Sequence, residues 1–444
     1  MSISKTVIAS QMELNSKSEH SITGWLRKTN LLNFTLYASF CSFCLYTCIF
    51  SLRKTFGVAT YQDLSYWGID YKVWMVTFQV IGYMISKFIG IKVVSELQSK
   101  YRTRGILLMV SIATVSWLLF AITPRPYNLI FLFSNGLPLG MVWSLVFGYL
   151  EGRRTTEVLG ASLSVSFIFS AGFGKTIGGL VMRDWSVNEF WMPFVSACLF
   201  FIPLLLFLWL LDKLPPPTLE DEKLRTKRKP MTGAERIAFT KTFGPGLVLL
   251  IISYALLTAF RDFRDNFSAE IWKTLGYGDK PSIFAQTETP ISIIVLASIA
   301  MLMIIKNNKI ALIVNHLIVF FGMLLVGAST FAFQQKLIEP PLWMTLVGMG
   351  LYFGYIQFNS IFFDRLLAAF QYAGTVAFLI NLADSFGYVG SVSVLFYKQF
   401  GQTDLSWLSF FITSGYILSA AGSILILISL FYFNNKYNSW KRVN

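Results

Sequence analysis

The sequence predicts an all-α membrane protein, with twelve transmembrane helices in two pseudo-symmetric six-helix bundles. Three observations predict it. Of the 444 residues, 55% are hydrophobic and 16% aromatic while only 14% are charged, more apolar surface than a water-exposed fold could cover. The apolar residues gather into about twelve runs long enough to cross a bilayer. A single long polar break, residues 212–243, divides those runs six and six, which points to two halves joined by a linker.

In chain order, residues 1–30 form a polar tail with no short apolar core and no small-residue cleavage site, so the first helix is expected to serve as the targeting signal. The runs then fall near 31–59, 73–95, 105–123, 127–149, 158–182 and 190–211, making a first bundle over 31–211. The linker 212–243 holds Pro215-Pro216-Pro217 and the cationic run Arg225 to Lys229. The second bundle, 244–434, contains runs near 245–270, 284–305, 310–333, 342–363, 370–397 and 407–433, and 435–444 is a second tail. Cations follow the even-numbered helices: Lys92, Lys100, Arg102 and Arg104, then Arg153 and Arg154, the linker run, and Lys306 with Lys309. The positive-inside rule then puts even exits and both termini in the cytoplasm, with the chain in the cell (inner) membrane. The net charge of +14 sits in these loops, where it suits anionic lipid headgroups of the bilayer and not nucleic acid.

No enzyme is expected. Cys41, Cys44 and Cys48 share one helix face, but neither a second ligand pair nor a nearby His completes a metal site, and Cys198 stands alone. His20 and His316 fail the same test. Gly174-Lys175-Thr176 imitates the end of a nucleotide-binding loop, yet Phe169 stands where that motif needs glycine. The glycines around it read as allowing close helix packing. Neither metal nor organic cofactor is implied.

What remains is a small set of charges inside apolar runs, where each costs roughly 2.5–3.5 kcal/mol unless it meets a partner or a wet cavity. Arg53 and Lys54 sit inside the first run, with Phe56-Gly57-Val58-Ala59 still to follow; Arg53 is read as facing a cavity, and Lys54 as facing it or snorkelling outward. Arg261 holds the matching place in helix seven, the counterpart of helix one if the halves repeat. Asp262, Arg264 and Asp265 beside it read as a helix end with local ion pairs. One arginine from each half would bind a doubly charged anion, because a guanidinium offers paired hydrogen bonds and keeps its charge. Lys175 in helix five, Glu288 in helix eight, Lys87 in helix two and Asp384 in helix eleven are further charges of this kind. Asp384, mid-helix with no cation nearby in sequence, needs a partner or a proton, which it could load during coupled transport.

Arg53-Lys54-Thr55-Phe56-Gly57-Val58-Ala59, followed by Ser86-Lys87-Phe88 in helix two, resembles the first two helices of organophosphate:phosphate antiporters of the major facilitator superfamily. That resemblance implies the major facilitator fold and alternating access by a monomer around a midplane site for a small anionic solute. It makes Arg53 one phosphate-binding arginine and Arg261 the second, with Lys87 and Lys54 adding positive potential. Because helices five and eight, and two and eleven, are neighbours in that superfamily, the resemblance also pairs Lys175 with Glu288 at an outer gate and Lys87 with Asp384. The alternatives are proton-coupled transport of another organic anion or peptide-like solute, with Asp384 and Glu288 as carboxyls, and a transporter-like sensor of sugar phosphates.

Overall fold

The computed structural model describes residues 22–96, 98–218, 221, 233–372, 376–402 and 405–443, which are almost wholly helical. Among the described residues ten helices are long and apolar enough to cross a membrane, and the pair Pro340–Ser360 and Phe362–Ala369, bent by 51°, makes an eleventh. Tyr71–Glu96, with 26 residues, is the twelfth long helix. In chain order they are α1 (Leu31–Lys54), α2 (Tyr71–Glu96), α3 (Arg102–Ile122), α4 (Ile130–Phe147), α5 (Thr156–Asp184) and α6 (Met192–Asp212). The second set is α7 (Gly233–Asn266), α8 (Ser282–Met303), α9 (Asn308–Gln334), α10 (Pro340–Ser360) and α11 (Val376–Gly401). Last comes α12, Trp407–Ile417 continuing through a π-helical turn into Ser423–Val443.

Local chemistry fixes several starts. The Asn30 side chain accepts from the Asn33 N–H to cap α1, Asn307 accepts from Lys309 and Ile310 at α9, and Ser406 accepts from Ser409 at α12. Pro340 and Pro341 open α10, where their missing N–H groups cost nothing. The helix α7 begins at Gly233, inside the stretch expected to be linker. Its first turns carry Glu235, Arg236 and Lys241, too polar to register as part of an apolar run.

Within the first half α1 packs on α5 and α6, and α4 on α2 and α3. In the second half α7 packs on α11, and α9 on α10. The halves meet where α5 lies against α8 and α2 against α11. Glycines let α5 wedge between its neighbours: a Cβ on Gly174 would lie 2.9 Å from Ser51 Oγ of α1, and one on Gly179 would lie 2.8 Å from Pro281 Cβ before α8. Both described ends lie at one face. The short helix Ile22–Lys28 reaches the end of α6 through Thr23 Oγ1 donating to the Lys213 carbonyl, and Trp440 meets Phe370 edge-on beyond α10. We call this the terminal face. The far face carries a hairpin that pairs Ser65–Tyr66 with Ile69–Asp70.

Candidate functional site

Arg53 lies at the last turn of α1, buried, where the apolar run gives way to a short 3-10 turn over Thr55–Val58. Its carbonyl accepts from Gln79 Nε2, which also donates to Asn135 Oδ1, so α2 and α4 hold the backbone from which the guanidinium projects. The guanidinium carbon sits 3.8 Å above the Tyr83 ring, and Arg53 Nε has no hydrogen-bond partner among the described residues. Arg261 on α7 repeats the arrangement from the other half, 4.1 Å over the ring of Tyr355. A guanidinium over a ring face gains a cation–π attraction and keeps its charge. Unlike Arg53, Arg261 is also bonded to a carboxylate: its Nη2 and Nε lie 2.6 and 3.0 Å from Asp262 Oδ1. Tyr83 meets Tyr388 across the boundary between halves, ring centroids 5.5 Å apart.

Asp384, midway along α11, is buried and accepts from the Tyr254 hydroxyl at 2.5 Å, while Asn359 Nδ2 donates to the same hydroxyl at 3.0 Å. The proposed partner Lys87 falls on α2, and its side chain lies outside the described residues.

Just beyond the arginines a layer of ion pairs closes the far face. Asp265 is shared by two ammonium groups, Lys54 at 2.7 Å and Lys175 at 2.5 Å. Lys54 also donates to Asn266 Oδ1, and Lys175 to Ser268 Oγ. Further out, Lys72 at the start of α2 donates to both oxygens of Glu270, at 2.7 and 2.9 Å, and to the Gly57 carbonyl. In each pair the cation comes from the first half and the anion from the second. Lys273 with Gln62, and Gln399 with the Gly68 carbonyl, complete the seam. At the terminal face, by contrast, Arg102 bonds Gly148, Arg153 bonds Pro215 and Arg365 bonds Asn308, each within its own half.

The expected pair of Lys175 with Glu288 is therefore not the one formed. The helices do adjoin, since a Cβ on Gly172 would lie 2.7 Å from Glu288 Cβ. Asp265, however, inserts between Lys54 and Lys175 and compensates both, which leaves Glu288 to Arg264 Nη1 at 2.6 Å. Of Asp262, Arg264 and Asp265, Asp262 forms the local pair anticipated, with Arg261, while Arg264 and Asp265 are buried contacts to other helices. Lys72, Glu270 and the tyrosines had not been singled out. Lys72 gave one faint signal, a cation opening an apolar run.

Three carboxyls outside the spans titrate above the ordinary range. Burial pushes Glu270 up, offset in part by Lys72; burial raises Glu189, which accepts the Tyr61 N–H; and burial raises Asp70, opposed by Lys398. A carboxyl with a raised folded pKa contributes stability that is complete below its unfolded pKa and is lost as pH rises through the folded value. The melting temperature in detergent is thus expected to fall as pH rises above the ordinary carboxyl range of about 4, and Glu270→Gln to flatten that slope. An unchanged slope in the variant would remove Glu270 as its source.

The family model described as "Family of unknown function (DUF5690)" matches residues 55–436. No curated protein matches the chain. Among solved structures it is similar to a mutant of the peptide transporter POT in complex with alafosfalin, at 14% identity and a TM-score of 0.62, over 94% of this chain and 98% of that one. It is similar to the D-xylose-proton symporter at 17% identity and a TM-score of 0.56, covering 91% and 97%. The nucleoside transporter NupG, as a mutant, matches at 12% identity and a TM-score of 0.58, covering 90% and 99%. At these identities the likeness is one of fold. The chain is an all-α, multi-pass membrane protein with the major facilitator fold, with twelve long helices among the described residues.

Proposed function

The chain belongs to the DUF5690 family and has the major facilitator fold, and from these we propose that it is a secondary transporter of a small anionic, phosphate-bearing solute. It would work by alternating access, the two halves rocking about a site at their boundary. One observation carries this reading: Arg53 from the first half and Arg261 from the second are each laid over a tyrosine ring directly beneath the closed far face. Two such forks match the oxygens of a phosphate group, and Tyr83, Tyr355 and Tyr388 supply ring faces for the rest of the molecule. Lys54, and Lys87 on α2, add positive potential. Lys175 acts in the gate through Asp265, and Glu288 through Arg264. On this reading the terminal face is cytoplasmic, because the basic loops lie there, the membrane is the cell's inner one, and the carrier is a monomer.

Asp384 favours a second reading, proton-coupled movement of another organic anion or a peptide-like solute. A buried carboxyl held by the Tyr254 hydroxyl, which in turn accepts from Asn359, can gain and lose a proton as the halves move. The structural neighbours include carriers of peptides, a sugar and nucleosides, which fits either solute class.

The purified chain, reconstituted in liposomes loaded with phosphate, is expected to exchange labelled phosphate for external phosphate esters with little dependence on an imposed pH gradient. Exchange that requires the gradient, and that Asp384→Asn abolishes, would transfer the assignment to the proton-coupled reading. Solute binding without either flux would point to a sensor.

A further inference from the structure

Among the described residues at the arginine site, Asp262 is the charged group whose role in a carrier is unexplained by anion binding, since an acid beside a phosphate lowers affinity. It is 2% exposed, with Oδ1 bonded to Arg261 and Oδ2 accepting no hydrogen bond among the described residues. Lys54 and Arg53 both lie within its electrostatic reach. The carboxylate therefore stands where three cations from both halves converge.

We infer that Asp262 is a tethered counter-ion for the two arginines, so that the carrier moves its solute in net as well as by exchange. This rests on the anion-transporter reading above. A carrier completes its cycle only if the halves can close around a site that holds no solute. Two guanidiniums that act on one buried carboxylate also repel each other, and a carrier lacking any internal anion returns only when loaded, which restricts it to exchange. Asp262 supplies that anion from the chain itself. When solute arrives, its oxygens compete with Asp262 Oδ1 for Nη2 and Nε of Arg261, and Arg53 Nε takes a further oxygen. When solute leaves, Asp262 takes Arg261 back, and the unloaded carrier can reorient.

The test compares two arms with the full chain in liposomes, using radiolabelled inorganic phosphate as the probe. One arm contains unlabelled phosphate and reads exchange; the other contains only buffer and reads net entry, with potassium and valinomycin on both sides to collapse the potential. The native chain is expected to show net entry within about tenfold of exchange. In Asp262→Asn the ratio of net entry to exchange should fall by about tenfold or more, and Asp262→Glu should restore it. Exchange without net entry in the native chain overturns the inference while leaving the transporter reading intact, as does an unchanged ratio in Asp262→Asn. Loss of both arms in the native chain overturns the phosphate-carrier reading itself. If Asp262→Asn does not fold, Asp262→Ser is read in the same two arms, and an unchanged ratio there overturns the inference.

Discussion

Asp265→Asn is expected to destabilise the protein by about 3–5 kcal/mol, because it strands two buried ammonium groups that share one anion. The Lys54 and Lys175 side chains are each only 4% exposed, so water cannot replace the lost charge without opening the seam. Two readouts follow. The melting temperature in detergent should drop, and the far face should open, since the shared anion also ties α1 and α5 of one half to α7 of the other. A cysteine placed at Ser268, in a background with Cys41, Cys44, Cys48 and Cys198 replaced, should then react faster with a membrane-impermeant maleimide. Replacing the whole triad by apolar residues, Lys54→Met with Lys175→Met and Asp265→Leu, should recover most of the stability without restoring the charged closure. If Asp265→Asn melts with the native chain, the triad is not what holds the far face shut.

The helices were legible because the bilayer permits so little else: a span needs about 20 apolar residues, and such runs stand out against charged loops. Their ends were readable where a cap exists, as at Asn30 or Ser406, and not where a helix enters water without an apolar face, as at Gly233. The site was half legible. A cation within an apolar run has few innocent explanations, which drew attention to Arg53, Arg261 and Lys175, and the structure brings all three to the boundary between halves. Charges at a helix end are ambiguous by nature, since a solvated carboxylate and a buried one occupy the same kind of sequence. Asp265 was therefore read as local, although it is the hub of the closure, and Glu288 was given its lysine. The bond from Lys72 to Glu270 spans 198 positions, and no pattern in a single sequence links such residues. Tyr83, Tyr254, Tyr355 and Tyr388 were hidden among 19 tyrosines and become distinctive only when the fold sets them against Arg53, Arg261 and Asp384.

Arg53→Lys is expected to reduce transport by at least about thirtyfold, the lower end of the 2–5 kcal/mol typical when a buried, hydrogen-bonded charge loses its partner. The substitution keeps the charge, so a site that needed only positive potential would tolerate it. What it removes is the planar fork and its stacking on Tyr83, and a lysine ammonium cannot offer two parallel donors to one phosphate. Arg53→Ala should lose at least as much. Arg261→Ala is expected to differ in kind, because it also leaves Asp262 buried beside Lys54 without its nearest cation. Its loss should therefore include stability as well as transport, and Arg261→Ala combined with Asp262→Ala should regain the melting temperature but not the flux. Transport rates and melting temperatures across these four variants separate the two roles. Equal transport in Arg53→Lys and the native chain would mean that Arg53 acts only through its charge, and the bidentate reading of the site would fall.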